Sequence, residues 1–476
     1  MRLNRYNGKF LYLKDYTLSN RSPKSNKPFK ASKSKGTPGY DARKRALDVV
    51  TRVLDEGQPL EYLLDRNSDD AMPANDRALA RAIAATTLRR KGQIDKALDS
   101  LMQKPLGRRG GGAMHILRIA AAQILFMEVP DHASVSIAMD IAKADHKARH
   151  FSKLINGVLR AMTRQKEALL VDMKPRDILP TWLAKEWDNA YGRATCDAMA
   201  NALSHEPYLD ISVKPDSGDY ADKLGGETLP NGSVRLKSRG MVSDFASFKE
   251  GDWWVQDMAA SLAPALLGDV SGKRVADLCA APGGKSAYLA ARDAKVTAVD
   301  VSGERLKRLD ENLKRLQLSA DVIEADIEKW MPDDLFDCVL LDAPCSAIGT
   351  ARKHPDVLWL KTPELVERLV VIQRALLKRA VEFLKPGGVL VFCTCSLQPE
   401  EGEAILDFVK QEALPLELVS IRPQELSGFS DILRPDGSIR TRPNHSPLVQ
   451  SASSVADDPF FVGLDGFFMA KFQKNN

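Results

Sequence analysis

A chain of 476 residues with 44% hydrophobic and 28% charged side chains is too long for one ordinary core and too apolar to be disordered, so two to four folded domains are expected. Its net charge of +5 is uneven: residues 1–35 hold ten basic side chains against one acid, +9, which leaves −4 for the remainder and excludes a polycation that binds nucleic acid over its whole surface. Five of the six cysteines fall in the C-terminal half, no apolar run reaches membrane-spanning length, and no hydrophobic signal core opens the chain; a cytoplasmic protein with reduced thiols is expected, without membrane contact.

Residues 1–40 are rich in Ser, Asn and Lys and read as a disordered basic tail. Such a tail suits salt-sensitive attraction to RNA phosphates, and equally a solubilising extension or a mispredicted start; Lys outnumbers Arg, which disfavours a transit peptide. Over 41–166, runs such as ARKRALDVVTRVLDEG, HILRIAAAQILFMEV and FSKLINGVLRAMTRQ place apolar residues at helical spacing between Gly and Pro breaks, predicting a compact all-helical domain. Its basic residues Arg77, Arg81, Arg89, Arg90, Lys91, Arg108 and Arg109 are candidates for an RNA-facing surface, although a solvated helix face is the default for such residues.

Residues 167–250 read as a linking helix opened by Pro180, in LPTWLAKEWDNAYG, followed by a small α/β module with short alternating runs such as LDISVKP and GSVRLKS. The last domain, 251–476, opens with WWVQDMAASLAPALLG, a strand end leading into a helix, after which regular strand and helix alternation to about Val409 predicts a parallel sheet covered on both faces. Within it, KRVADLCAAPGGKSAYLAARDAKVTAVDVSGERL supplies a strand, a glycine turn, a helix and a second strand ending in Asp300. The turn is neither a P-loop, because Cys279 stands where the first glycine must be, nor GxGxxG, so a dinucleotide is disfavoured. An acid ending the second strand suits a ribose diol, Asp326 follows at the third strand edge where it can accept from an exocyclic amine, and Asp342 ends the fourth.

Two further stretches, FDCVLLDAPCSAIGTARKHPD and VLVFCTCSLQPEEGE, each carry a hydrophobic strand into a cysteine. Cys393 and Cys395 form a lone C-x-C without a second Cys or His pair, so no metal site is expected. A buried strand-end thiol taken singly is most often a small apolar filler, the expected role of Cys338 and Cys393.

Taken together, DLCAAPGGK, AVDVSGERL, LLDAPCSAIGTARKHPD and TCSLQPEEGE resemble the cytosine-5 RNA methyltransferases of the Nop/Sun family, whose cofactor is S-adenosylmethionine. The resemblance is densest over Trp253 to Val409, and RTRP from Arg440 and DGFFMAKF from Asp465 are similar to the family's last strands. The helical segment resembles the antitermination factor NusB, a combination similar to bacterial small-subunit ribosomal RNA enzymes of the RsmB type. The resemblance implies a multidomain fold: an all-α NusB-like domain, a small α/β linking module and an α/β Rossmann-like methyltransferase domain. It implies a cofactor cleft formed by Cys279, Ala280, Ala281, Pro282, Gly283, Gly284, Lys285, Asp300, Asp326 and Asp342. The substrate would be a cytosine of 16S ribosomal RNA, free or within a small-subunit particle; apart from the resemblance, nothing in the sequence demands a dimer, and a monomer is expected. Competing readings are the same chemistry on tRNA and a non-catalytic RNA-binding assembly factor.

Cytosine carbon 5 is too weak a nucleophile to take a methyl group unaided, and a thiolate adding to carbon 6 makes it an enamine carbon that can. One cysteine is therefore required, and spacing alone does not say which. The family resemblance assigns the nucleophile to Cys395, gives Cys345 a part in breaking down the covalent adduct, and sets Asp342 on the base's ring nitrogen and amino edge. Lys285 and Arg352 are candidates to favour the thiolate. Arg352, Lys353 and His354 could grip phosphates beside an extruded nucleotide, or simply form a surface loop. Gln256 and Asp257, in a VQD motif similar to one in the family, are expected to close the cleft. Two departures stand out: Gly402 where the family usually has Asn, and Cys393 where an aromatic or small residue is common.

Overall fold

The computed structural model describes residues 38–64, 72–107, 110–215, 217–237, 242, 245–427, 429–447 and 463–476. The basic tail through residue 37, with Arg108 and Arg109, lies outside the described residues. The helical expectation is met by helices at Tyr40–Glu56, Ala74–Arg89, Lys91–Leu101, Gly111–Phe126, Asp131–Ala144 and Ser152–Arg164. In the last of these, Ile155, Val158, Leu159 and Met162 recur at one-turn spacing and are all buried, each aliphatic side chain stabilising the fold by about 2 kcal/mol. Gly57 ends the first helix in the left-handed region (φ 72°), its N–H turned back on the Arg52 and Val53 carbonyls.

Helices Thr181–Tyr191 and Arg193–Leu203 lead into a small antiparallel sheet of β1 (Leu209–Val213), β2 (Gly226–Thr228), β3 (Val234–Leu236) and β4 (Trp253–Val255), ordered β2-β3-β1-β4. Because β4 pairs with β1, a domain boundary drawn at residue 250 cuts through this sheet. Inside it, Arg235 forks onto Asp210 with bonds of 2.6 and 2.8 Å, both side chains buried.

The larger sheet contains β5 (Arg274–Leu278), β6 (Lys295–Asp300), β7 (Asp321–Glu324), β8 (Phe336–Asp342), β9 (Leu384–Thr394), β10 (Leu416–Leu418), β11 (Ile439–Arg440) and β12 (Phe468–Lys474). Its order is β10-β12-β9-β8-β5-β6-β7, with β11 beside β12. Strands β5 to β9 run parallel, while β12 lies antiparallel to β9 and β10 to β12, so the sheet is mixed rather than wholly parallel. The chain moves outward from β5 through β6 and β7, then returns to β8 on the other side of β5. That reversal opens a crevice at the carboxyl ends of β5 and β8, where doubly wound sheets take their ligands.

Candidate active site

One half of the crevice is built by the turn after β5. Cys279 has positive φ (61°), and Gly283 at φ 102° carries no side chain where a Cβ would lie 2.6 Å from Leu309. Gly284 then starts the helix Gly284–Ala290, which brings Lys285 back over the sheet. At the end of β6, Asp300 accepts the Ala281 N–H at 3.1 Å and the Ser302 N–H at 2.9 Å, so the carboxylate stitches the two turns together. Asp326, just beyond β7, accepts the Glu328 N–H at 3.1 Å and pairs with Lys329 at 3.0 Å. Beneath them Asp277 is fully buried; Ser286 donates to one oxygen at 2.6 Å, and Oδ1 has no partner among the described residues. Burial, opposed by that bond, pushes its pKa up to about 7.

The other half is built by the ends of β8 and β9. Asp342 accepts from Lys285 Nζ at 2.7 Å and from the Cys393 thiol at 3.4 Å. Burial opposes the Lys285 charge, but Asp342, with Cys393 and Cys395 behind it, raises its pKa. Cys345 Sγ lies 3.4 Å from Cys395 Sγ. The bond to Cys395, burial and the Glu401 charge hold the Cys345 thiol well above its ordinary pKa. Cys279 and Cys393 are likewise raised, by burial and by neighbouring carboxylates. The first half thus carries Cys279 to Lys285, Asp300 and Asp326, the second carries Asp342, Cys345 and Cys395, and the Lys285–Asp342 bond joins them.

The phosphate-gripping expectation for Arg352 and Lys353 is corrected by their placement. Arg352 is buried, and Lys353 reaches inward to Asp257 and, at 3.1 Å, to Asp465. The buried acids Asp210, Asp257 and Asp465 face Arg235, Arg352 and Lys353, so these cations neutralise carboxylates inside the protein. Burial would raise Asp257, but Lys353 and Arg352 outweigh it and hold it at about 2. His354 is half-buried beside them. Asp257 also caps the helix Met258–Ala265. Gln256 accepts from Ser212 at 2.8 Å and Trp254 at 2.9 Å, supporting the glycine turn from behind.

Several basic residues of the helical domain are also turned inward. Arg89 donates to the Leu203 and Arg352 carbonyls at 3.2 and 2.7 Å, and Arg90 lies over the Phe126 ring. Lys91 lies 3.9 Å from the centre of the Trp359 ring, whose N–H bonds the Leu88 carbonyl. The loop after the DAPCS motif is therefore clamped by the helical domain, with Asp356 accepting the Leu60 N–H at 3.0 Å.

The glycine at 402 is explained by space: a Cβ there would lie 2.2 Å from Arg440 Nη2 and 3.0 Å from Phe468. Sequence reasoning missed Glu401. It is buried and accepts from the Ser346 N–H (2.8 Å), the Ser396 hydroxyl (2.5 Å) and Gln373 Nε2 (3.0 Å), yet nothing local separates it from Glu400 or Glu403.

A glycine turn, successive strand-end acids and a topological switch point suit a ligand with a ribose diol, and together with the family match that follows they place the chain among the S-adenosylmethionine-dependent methyltransferases. The profile of the 16S rRNA methyltransferase RsmB/F family matches residues 264–473, and that of the NusB family matches 40–164. Ribosomal RNA small subunit methyltransferase B of Serratia proteamaculans is 34% identical over 416 residues, 83% of this chain and 96% of that protein. The protein of the same name from Pectobacterium carotovorum is 32% identical over 463 residues, 92% and 99% of the two chains. The crystal structure of PH0851 shares the fold with a TM-score of 0.67 at 23% identity, covering 93% of this chain and 100% of that one. The chain belongs to the RsmB/F family of rRNA methyltransferases, with a NusB-family domain before the catalytic one.

Proposed function

We propose that this protein methylates carbon 5 of a cytosine in 16S ribosomal RNA through a covalent adduct between Cys395 and carbon 6. The observation that carries the reading is the pair of thiols 3.4 Å apart on the segments that follow β8 and β9, beyond the strand end that carries Asp342. Bound S-adenosylmethionine supplies an electrophilic methyl group. The loop from Cys279 to Lys285, with Asp300 and Asp326, would hold it: Asp300 on the ribose diol, Asp326 on the adenine edge.

Cys395 attacks carbon 6 as a thiolate, forming the S–C bond, and the ring electron pair moves onto carbon 5. Asp342, oriented by Lys285, accepts from the exocyclic amino group with one oxygen, and a proton shared between its other oxygen and ring nitrogen 3 neutralises the charge the ring gains and favours that shift. After methyl transfer, a solvent base takes the carbon 5 proton, the C–H electron pair re-forms the carbon 5–carbon 6 double bond, and the S–C bond breaks to expel Cys395 as a thiolate. Cys345 keeps its proton and donates to the departing sulfur, which suits a thiol whose pKa is raised.

The test is transfer of labelled methyl to unmodified small-subunit rRNA, with tRNA as competitor, in wild type and Cys395→Ala. Label on rRNA as 5-methylcytosine, absent in the variant, supports the reading. Label on tRNA alone overturns the substrate, and an active variant overturns the nucleophile.

A further inference from the structure

The two thiols sit on loops fifty residues apart in sequence, so some structural device must set their spacing. Backbone bonds contribute: Ala343 N–H to the Cys393 carbonyl at 2.9 Å and Gly349 N–H to the Cys395 carbonyl at 3.0 Å. Behind the sulfurs lies a second layer. Each cysteine is followed by a buried serine, and the hydroxyls of Ser346 and Ser396 are 3.0 Å apart. Both loops converge on one carboxylate, Glu401, whose Oε1 accepts the Ser346 N–H and Gln373 Nε2 and whose Oε2 accepts the Ser396 hydroxyl. Gln373 also bonds the Pro344 carbonyl at 3.0 Å, so the long helix Pro363–Glu382 is tied into the same junction.

A buried carboxylate is expensive unless its lone pairs are used, and this one receives three donors from three segments. Arg440 braces the same junction from the side, donating to the Ser396 carbonyl, while its ion pair is with Glu403 at 2.5 Å. We infer that Glu401 is the positioning residue of the two-thiol site: by gripping the residue after each cysteine, it keeps Cys345 and Cys395 within one hydrogen bond of each other. The consequence for turnover rests on the function proposed above; the spacing itself does not. The Glu401 charge also contributes to holding the proton on Cys345, after the bond to Cys395 and burial.

The experiment measures spacing and turnover separately. Phenylarsine oxide captures two neighbouring thiols by forming two As–S bonds and releasing water, with no change in the oxidation state of sulfur. Capture across Cys345 and Cys395 is read by peptide mass spectrometry in the full chain, with Cys345→Ala as background. Glu401→Ala is expected to weaken capture about tenfold or more and to lower kcat by a similar factor while KM for S-adenosylmethionine holds, because three donors lose their acceptor. Glu401→Gln, which keeps the shape and one carbonyl acceptor, is expected to restore most of the capture. Wild-type capture by Glu401→Ala overturns the inference. If Glu401→Ala does not fold, Ser396→Ala, which cuts one of the three bonds, is expected to weaken capture about threefold, and unchanged capture overturns the inference in its turn. A wild type that captures the arsenical yet transfers no methyl to rRNA counts against the proposed function and leaves the positioning result standing.

Discussion

The two halves of the crevice are made in different ways. The half at β5, β6 and β7 is local: its turns and strand ends follow one another along the chain, and Asp300 reaches only nineteen residues, to the Ala281 N–H of the preceding turn. The thiol half is assembled at long range, from the ends of β8 and β9, Gln373 on a separate helix, and Glu401 beyond the second cysteine. The contrast teaches that a ligand cradle can be written into one contiguous stretch, whereas the spacing of two reactive groups needs tertiary structure.

Removing a reacting atom from the long-range half gives the largest effect. Cys395→Ala is expected to lower methyl transfer by about 10⁴-fold or more, since covalent activation of carbon 5 is lost. Cys345→Ala is expected instead to accumulate a protein–RNA adduct, visible as a shifted band on denaturing gels. Equal loss in both variants with no adduct in either would mean that the thiols do not divide the work. On the local half, Asp300→Ala is expected to raise KM for S-adenosylmethionine by about ten- to a hundredfold with a smaller change in kcat, the loss of one charge-assisted contact. A fall in kcat alone would show that the two halves are not separable.

Legibility in the sequence follows the same division. The strands, the glycine turn, Asp300, Asp326 and Asp342 could be placed from strand periodicity and order, because neighbours in sequence are neighbours in space there. The NusB-like helices were legible for the same reason. Which face of ARKHPD points inward was not. The segment reads as a polar surface loop, yet Lys353 is half-buried and turned inward onto Asp257 and Asp465, 96 and 112 residues away. Glu401 was invisible for a similar reason, since its donors come from residues 346, 373 and 396. Likewise β4 looks like the start of the catalytic domain until its partner β1 is known.

Gly402 offers a smaller test on the long-range side. Gly402→Asn, which restores the residue common among the family, is expected to destabilise this chain by about 1–3 kcal/mol, because its Cβ meets Arg440 and Phe468. Thermal unfolding reads the cost. A neutral result would mean that Arg440 has a second place to go, and the Arg440 bond to the Ser396 carbonyl would then be dispensable.

The smallest effect belongs to Asp277, which lies at the seam, on β5 next to β8 and bonded to Ser286 of the cofactor-side helix. Its pKa rises from the ordinary 3.8 of an aspartate to about 7 in the fold, so the folded state holds a proton that the unfolded chain gives up. Stability from this group is therefore fully present below pH ~4, falls as pH rises from there to about 7, and is flat above. A rise of that size sets a ceiling of about 4 kcal/mol, but Asn at this position must also be desolvated, so Asp277→Asn is expected to recover only about 1 kcal/mol at pH 8. At pH 4 the same substitution should leave the melting temperature unchanged. A gain of equal size at both pH values would mean that Asp277 is already ionised in the fold, and that a charge from the local half sits beneath both halves of the crevice.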